Sequence, residues 1–206
     1  MIDLPSGKMK SREGNIVDAD DLMKKMYQIA ESTTKNFKKN KSRIIKEEKH
    51  LFETIGMGAL KYYILKIDPK KRILFDPKSS LDLKGNTGLY IQYAYVRINS
   101  IKSKVFDINY KNLSLCLLGK YEKSLLKILE QYPDFLNLSA KYLNPSLLAN
   151  YLYDLAKSFN DFYQNVNILK TNNIEKRNFR LKLTIKCGKV LKNGMKILGI
   201  EMPNYM

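Results

Sequence analysis

An apolar stripe that opens at a proline constrains this fold more than any other feature of the sequence. Pro145 stands where a helix tolerates proline in its first turn. Leu148, Leu152, Leu155, Phe159 and Phe162 follow it at helical spacing. A face of that length must be buried, so the chain needs other amphipathic helices to cover it. The sequence supplies them. Tyr90 to Ile101 forms one candidate, Tyr121 to Gln131 a second built on Leu125, Ile128 and Leu129, and the last places Phe179, Leu183, Cys187, Val190 and Ile197 on one face. Cys187 is thereby a core residue rather than a reactive thiol. Upstream, Asp18, Asp20 and Asp21 open a segment through Leu22, Met26 and Ile29, with the acids suiting a first turn. Phe52, Ile55, Ala59, Tyr62 and Tyr63 predict a helix from about Glu47 to Lys66, which Asp68-Pro69 ends. No internal repeat and no strand set sufficient for a Rossmann sheet is present. The expected fold is mainly α, a helical bundle preceded by a loop and connecting helices.

The chain has 206 residues, room for one large domain or one domain and an appendage. Residues 1–16 hold Pro5, Gly7 and Gly14 among charges and show no apolar period. The run from Asn36 to His50 is dense in charge and reads as a solvated loop or helix end. Lys70 to Gly88 is irregular and basic, with a Gly85-Asn86-Thr87-Gly88 turn. These breaks divide the chain into a loop at 1–16, a helical connecting region at 17–84 and a helical domain at 85–206.

Charge narrows the partners. There are 37 Lys and Arg against 20 Asp and Glu, a formal net charge of +17. Such a field favours polyanions, nucleic acid first and an anionic membrane surface second; a lysine-rich composition shared across a proteome gives part of the same excess. Tyr outnumbers Phe 14 to 8 and Trp is absent, so the dominant aromatic offers a stacking face and a hydroxyl together. Cys116 and Cys187 lie far apart with no C-x-x-C partner, which excludes a zinc site of that kind and a disulfide scaffold, so no metal site is expected. No apolar run reaches the length of a membrane span, and the first residues lack a signal core. A cytoplasmic protein without a membrane partner is expected.

Chemistry concentrates in the first loop. Gly7-Lys8-Met9-Lys10-Ser11-Arg12-Glu13-Gly14 places two lysines and an arginine within five residues, ahead of a helix. Cations of this kind can stabilise charge developing on a triphosphate. The same spacing also fits a plain basic surface loop, and no P-loop pattern is present.

The segment from Leu4 to Asn15 resembles the second signature loop, Lys-Met-Ser-Lys-Ser in general form, of class I aminoacyl-tRNA synthetases, in the version found in arginyl-tRNA synthetases. Ile55-Gly56-Met57-Gly58-Ala59-Leu60-Lys61-Tyr62-Tyr63 resembles the helix that follows that loop. Gly85 to Arg97 resembles the opening of the family's helical anticodon-binding domain, and Asn160 to Tyr163, Lys176 to Arg180 and Leu191 to Ile200 continue the match in order. The family's first signature, His-x-Gly-His, has no counterpart, since the single histidine is His50, expected on an exposed helix face. The resemblance thus covers the family's C-terminal portion, entered just before the second signature, and such a portion is expected to be inactive alone. Lys10 stands where the general form has Ser, and Ser11 where it has Lys, so which lysine meets phosphate stays open.

The resemblance implies an arginine–tRNA ligase, with ATP as substrate, Mg2+ accompanying it, and arginine and arginine tRNA as the other partners; ATP and arginine would enter through the missing N-terminal half. It implies that Lys8, Lys10 and Arg12 act on the phosphates, in a loop with Gly7, Met9, Ser11 and Gly14. Tyr90, Tyr93 and Tyr163 are candidates to stack on tRNA bases, Arg97 to pair with phosphate, Gln92 and Asn160 to bond base edges, and Met206 to close the pocket. Tyr90 and Tyr93, at i and i+3, equally fit one face of a packed helix. Phe162 and Tyr163 point about 100° apart on a helix, and Tyr163 is expected to be the more exposed. Lys176, Arg177 and Arg180 are expected on a solvated face. A monomer is expected. A non-catalytic tRNA-binding module from a split or truncated synthetase is the competing reading.

Overall fold

The computed structural model describes residues 2–3, 18–35, 45–105 and 118–206. The loop candidates Gly7, Lys8, Met9, Lys10, Ser11, Arg12 and Gly14 lie outside the described residues, as does Cys116. The architecture is mainly α. Its elements are β1 (Ile2–Asp3), α1 (Ala19–Lys35), α2 (Ile45–Leu65), β2 (Ile73–Leu74), α3 (Gly88–Lys102), α4 (Lys120–Glu130), α5 (Tyr132–Lys141), α6 (Pro145–Asn165) and α7 (Ile174–Ile197).

Two apolar clusters organise the helices. The larger joins Ile91, Ala94 and Ile98 of α3, Leu125 of α4, the α6 stripe from Leu148 to Phe162, and Leu181, Cys187, Leu191 and Met195 of α7. This is the expected bundle, and Cys187 is fully buried in it, with burial pushing its thiol pKa up. The smaller cluster packs Met26 and Ala30 of α1 on Leu51, Ile55 and Ala59 of α2, with Ile73, Phe75, Leu81 and Leu89 closing it. Tyr62 of α2 belongs to the larger cluster, so α2 ties the two together. The start of α3 packs so closely on α2 that a Cβ on Gly88 would sit 2.7 Å from the Gly58 carbonyl oxygen.

Three elements were not predicted, the paired strands β1 and β2 and the helix α5. Ile2 and Asp3 pair in parallel with Ile73 and Leu74, inside stretches read as loop and irregular chain; two-residue strands leave no alternation to detect. Helix α5 buries no residue fully, and its apolar face is Tyr132, Phe135 and Leu136, packed half-buried on the larger cluster, a signal of little more than one turn in the sequence. It ends in a Schellman arrangement, with Asn144 N donating to Ser139 O at 2.9 Å and Leu143 N to Ala140 O at 3.2 Å. Leu143 takes the left-handed position with φ 49°, where glycine is usual.

Candidate nucleic-acid interface

Helices α3 and α6 lie side by side and run the same way. Their partners keep a nearly constant offset: Asn86 with Asn150, Tyr90 with Tyr153, Arg97 with Asn160. Thr87 starts α3 by accepting from Tyr90 N at 3.2 Å while its hydroxyl donates to Asp82 O at 2.6 Å. Asn144 starts α6 in the same manner, accepting from Ser146 N at 3.0 Å. These caps fix where both helices begin, and with them the register of the seam.

Farther along, the seam brings four of the predicted residues together. The Arg97 guanidinium lies 4.5 Å from the Tyr93 ring centre and 5.3 Å from that of Tyr163. Its Nη1 donates to Asn160 Oδ1 at 3.0 Å. Tyr93 and Arg97 meet because they are one turn apart on α3, at i and i+4; Asn160 and Tyr163 share a face of α6 at i and i+3. Tyr163 rests on buried Phe159, 6.1 Å between ring centres. Tyr93 and Tyr163 remain 38% and 41% exposed, whereas Phe162 is fully buried. Among the described residues no carboxylate pairs with Arg97, so the site offers a fixed cation between two aromatic faces that still meet solvent. Asn160, only 6% exposed, orients the guanidinium instead of presenting its own amide outward.

The other candidates lie elsewhere. Gln92 is a correction: it is fully buried, and its Nε2 donates to Thr54 O at 3.2 Å and Glu201 O at 2.9 Å. Gly58 makes the space, since a Cβ there would lie 2.5 Å from that nitrogen. The amide therefore links α2 to the C-terminal tail and has no base edge to meet. Tyr90 packs on Tyr153 at 5.3 Å, apart from the Arg97 group. Met206 is half-buried and packs with Tyr205 against the smaller cluster. Arg180 leaves the expected solvated face, because Glu122 of α4, 3% exposed, holds it at 2.9 Å, and its Nη1 donates to Asn167 O at 2.8 Å. His50 is exposed on α2 as expected, 3.3 Å from Glu201 Oε1, and Lys61 Nζ donates to Gly199 O at 2.7 Å. These contacts pin the tail across α2.

Sequence reasoning missed a buried polar group at the opposite end of the seam. The Tyr62 hydroxyl contacts Asn86 Oδ1 at 2.6 Å and Ala149 O at 2.9 Å. Asn86 Nδ2 donates to Asn150 Oδ1 at 3.0 Å, and Asn150 Nδ2 donates to Lys66 O at 2.9 Å. Lys66 Nζ donates to Asn86 O at 2.7 Å, and burial lowers its pKa. The available signal was Asn150, a polar residue just beside the apolar stripe of α6. No described helix is long and apolar enough to cross a membrane.

A parallel helical seam that holds an arginine between two half-exposed tyrosines marks an α-helical domain with an open basic and aromatic site. The sequence model for the DALR anticodon binding domain matches residues 91–206, and the chain belongs to that family. The arginine–tRNA ligase of Flavobacterium psychrophilum is 48% identical over all of this chain, which spans 34% of that protein. The arginine–tRNA ligase of Parabacteroides distasonis is 41% identical over all of the chain and 35% of its own length. The chain thus spans about a third of the length of these relatives. Among solved structures, arginyl-tRNA synthetase of Thermus thermophilus superposes with a TM-score of 0.87 at 26% identity, over all of this chain and 34% of that one. The Plasmodium falciparum arginyl-tRNA synthetase gives 0.76 at 30% identity over 93% of this chain.

Proposed function

We propose that this chain is the C-terminal part of an arginine–tRNA ligase and that it binds arginine tRNA by the anticodon. The observation that carries the reading is the Tyr93–Arg97–Tyr163 group with Asn160 behind it. An unstacked base needs an aromatic or guanidinium face, and its phosphate needs a cation; this group supplies both in one place. The net charge of +17 over the whole chain adds affinity without sequence preference. Residues 85–206 form the anticodon-binding unit on this reading, and 17–84 the connection to a catalytic part.

In the whole enzyme, ATP and arginine would give arginyl-adenylate and pyrophosphate, and the arginine would pass to the 3′ end of the tRNA. Lys8, Lys10 and Arg12 would hold the departing phosphates, with Gly7 and Gly14 letting the loop close. Mg2+ would accompany ATP. Among the described residues no group of three or more His, Cys, Asp or Glu is placed to hold a metal, so no step here is assigned to one. The reaction belongs in the cytoplasm, beside its tRNA.

Binding of the 206-residue chain to arginine tRNA, measured at fixed salt against the same tRNA with an altered anticodon, tests the reading. A preference for the natural anticodon is expected. Equal affinity leaves only the electrostatic attraction and removes the anticodon claim. In ATP–pyrophosphate exchange with arginine, this chain alone should show no activity; clear exchange would overturn its assignment as a dependent part.

A further inference from the structure

We propose that the turn between α5 and α6 is a second RNA-contact surface, one that grips the tRNA outside its anticodon. The inference rests on the tRNA-binding reading and adds a separate surface to it. Leu138, Tyr142 and Leu143 are 39%, 62% and 84% exposed. Leu143 combines the greatest exposure of the three with left-handed backbone, φ 49°. Both properties disfavour a leucine, and glycine would relieve both. Strain held at an exposed apolar residue is a pointer to function when the surroundings enforce it.

Here they do. Besides the two backbone bonds that close α5, Ser139 Oγ donates to Asn144 O at 2.9 Å, and Asn144 Oδ1 accepts from Ser146 N at 3.0 Å and Ser146 Oγ at 2.7 Å. The remaining amide group, Nδ2, reaches Asp68 Oδ2 at 3.0 Å. That bond ties the turn to the chain after α2, which carries exposed Lys70 and Lys71 two and three residues beyond Asp68. The second oxygen of Asp68 accepts from Lys70 N at 2.9 Å, so this carboxylate is engaged within the protein. Lys141 Nζ lies 5.7 Å from the Tyr142 ring centre.

The result is an exposed aromatic ring, an apolar side chain next to it, and three lysines from two segments that a hydrogen bond holds together. An unstacked base and its flanking phosphates match that combination in shape and charge. Helix α6 runs unbroken from this turn to Asn160, which puts the surface about 25 Å from the Arg97 group at 1.5 Å per residue. One base triplet does not span that distance, so the two surfaces contact different parts of the RNA.

The test uses L143G, which removes the side chain while giving the turn the residue its backbone favours. Its affinity for arginine tRNA should fall about threefold to tenfold, with a thermal midpoint equal to or above that of the unsubstituted chain; Y142A should lose about tenfold. Changing Lys70, Lys71 and Lys141 together to Gln should reduce the slope of log affinity against log salt by about 2. All variants should keep the original ratio between natural and altered anticodons. Unchanged affinity in L143G and Y142A, or an unchanged slope in the triple variant, overturns the proposal. So does a change in self-association with tRNA binding intact, because the turn is then a protein contact. If these variants weaken binding in a chain that shows no anticodon preference, the anticodon reading fails and this one stands; a chain that binds no tRNA removes both.

Discussion

The two ends of the α3–α6 seam use similar residue types to opposite effect. At the end nearer α2, Tyr62, Asn86, Asn150 and Lys66 direct their polar groups into one another and into backbone carbonyls. At the far end, Tyr93, Arg97, Asn160 and Tyr163 also touch one another, yet both aromatic rings remain more than a third exposed. Composition does not separate the two ends, since each has tyrosine, asparagine and one cation. The third element does. Helix α2 reaches over the near end through Tyr62, and a polar group sealed there must be fully satisfied or it costs stability. Open to solvent, the far end keeps its aromatic faces and its charge available to a ligand.

The comparison makes opposite demands on mutations at the two ends. Tyr62→Ala should have the largest effect, lowering stability by about 3–5 kcal/mol, because it empties a fully buried site and removes the hydroxyl between Asn86 and Ala149. Urea unfolding measures it through the midpoint. Whatever remains folded should keep the natural preference between anticodons; a lost preference with stability intact would break the division of labour between the ends.

Arg97→Ala comes next, with its loss in binding rather than in folding. Affinity for arginine tRNA should drop about tenfold to a hundredfold, the range expected for contacts to a charged group, while the unfolding midpoint moves little. Arg97→Lys should not restore binding, since an ammonium lacks the planar face that lies along two rings. Tyr163→Ala should cost about 1–3 kcal/mol in binding if a base stacks there. Normal tRNA affinity in Tyr163→Ala would return the ring to packing on Phe159 and leave Arg97 with one working aromatic neighbour.

How much of this was legible in the sequence follows from the range of the forces involved. Apolar period is local, so helices α3, α4, α6 and α7 of the bundle and the burial of Cys187 and Phe162 could be read directly. Tyr93 with Arg97, and Asn160 with Tyr163, each lie one turn apart, so each half of the far end was visible, and the family resemblance placed both on one surface. The seam that joins the halves was not visible, because the Arg97–Asn160 contact bridges 63 positions. Gln92 shows the same limit: the resemblance and its polar amide implied a base contact, and only the fold shows that Gly58 opens a space that takes it inside. Arg180 could not be told from its basic neighbours until α4 brought Glu122 to it.

The smallest of the expected effects probes how well α2 seals the near end. Tyr62→Phe should cost about 1 kcal/mol at neutral pH, the net worth of an ordinary hydrogen-bonding hydroxyl. Its sharper signature lies in alkali. Burial lifts the Tyr62 phenol above the usual tyrosine range, and nearby Asp154 and Tyr153 push it the same way. The folded chain thus holds this proton where the unfolded chain releases it, near about pH 10. A raised acid pKa contributes stability in full below the unfolded value, and that contribution is lost as the pH climbs from there toward the folded value. Tyr151 and Cys187 are also raised by burial, so the thermal midpoint of the original chain should hold to about pH 8 and then decline. Lys66 acts with the opposite sign, its lowered pKa favouring the fold as the pH rises, but it is common to both chains and drops out of their difference. Above about pH 10 the Tyr62→Phe midpoint should therefore fall less steeply, and the two curves should converge. Curves that stay parallel would mean that the phenol ionises as freely in the folded chain as in the unfolded one, and the near end would then be open to water like the far end.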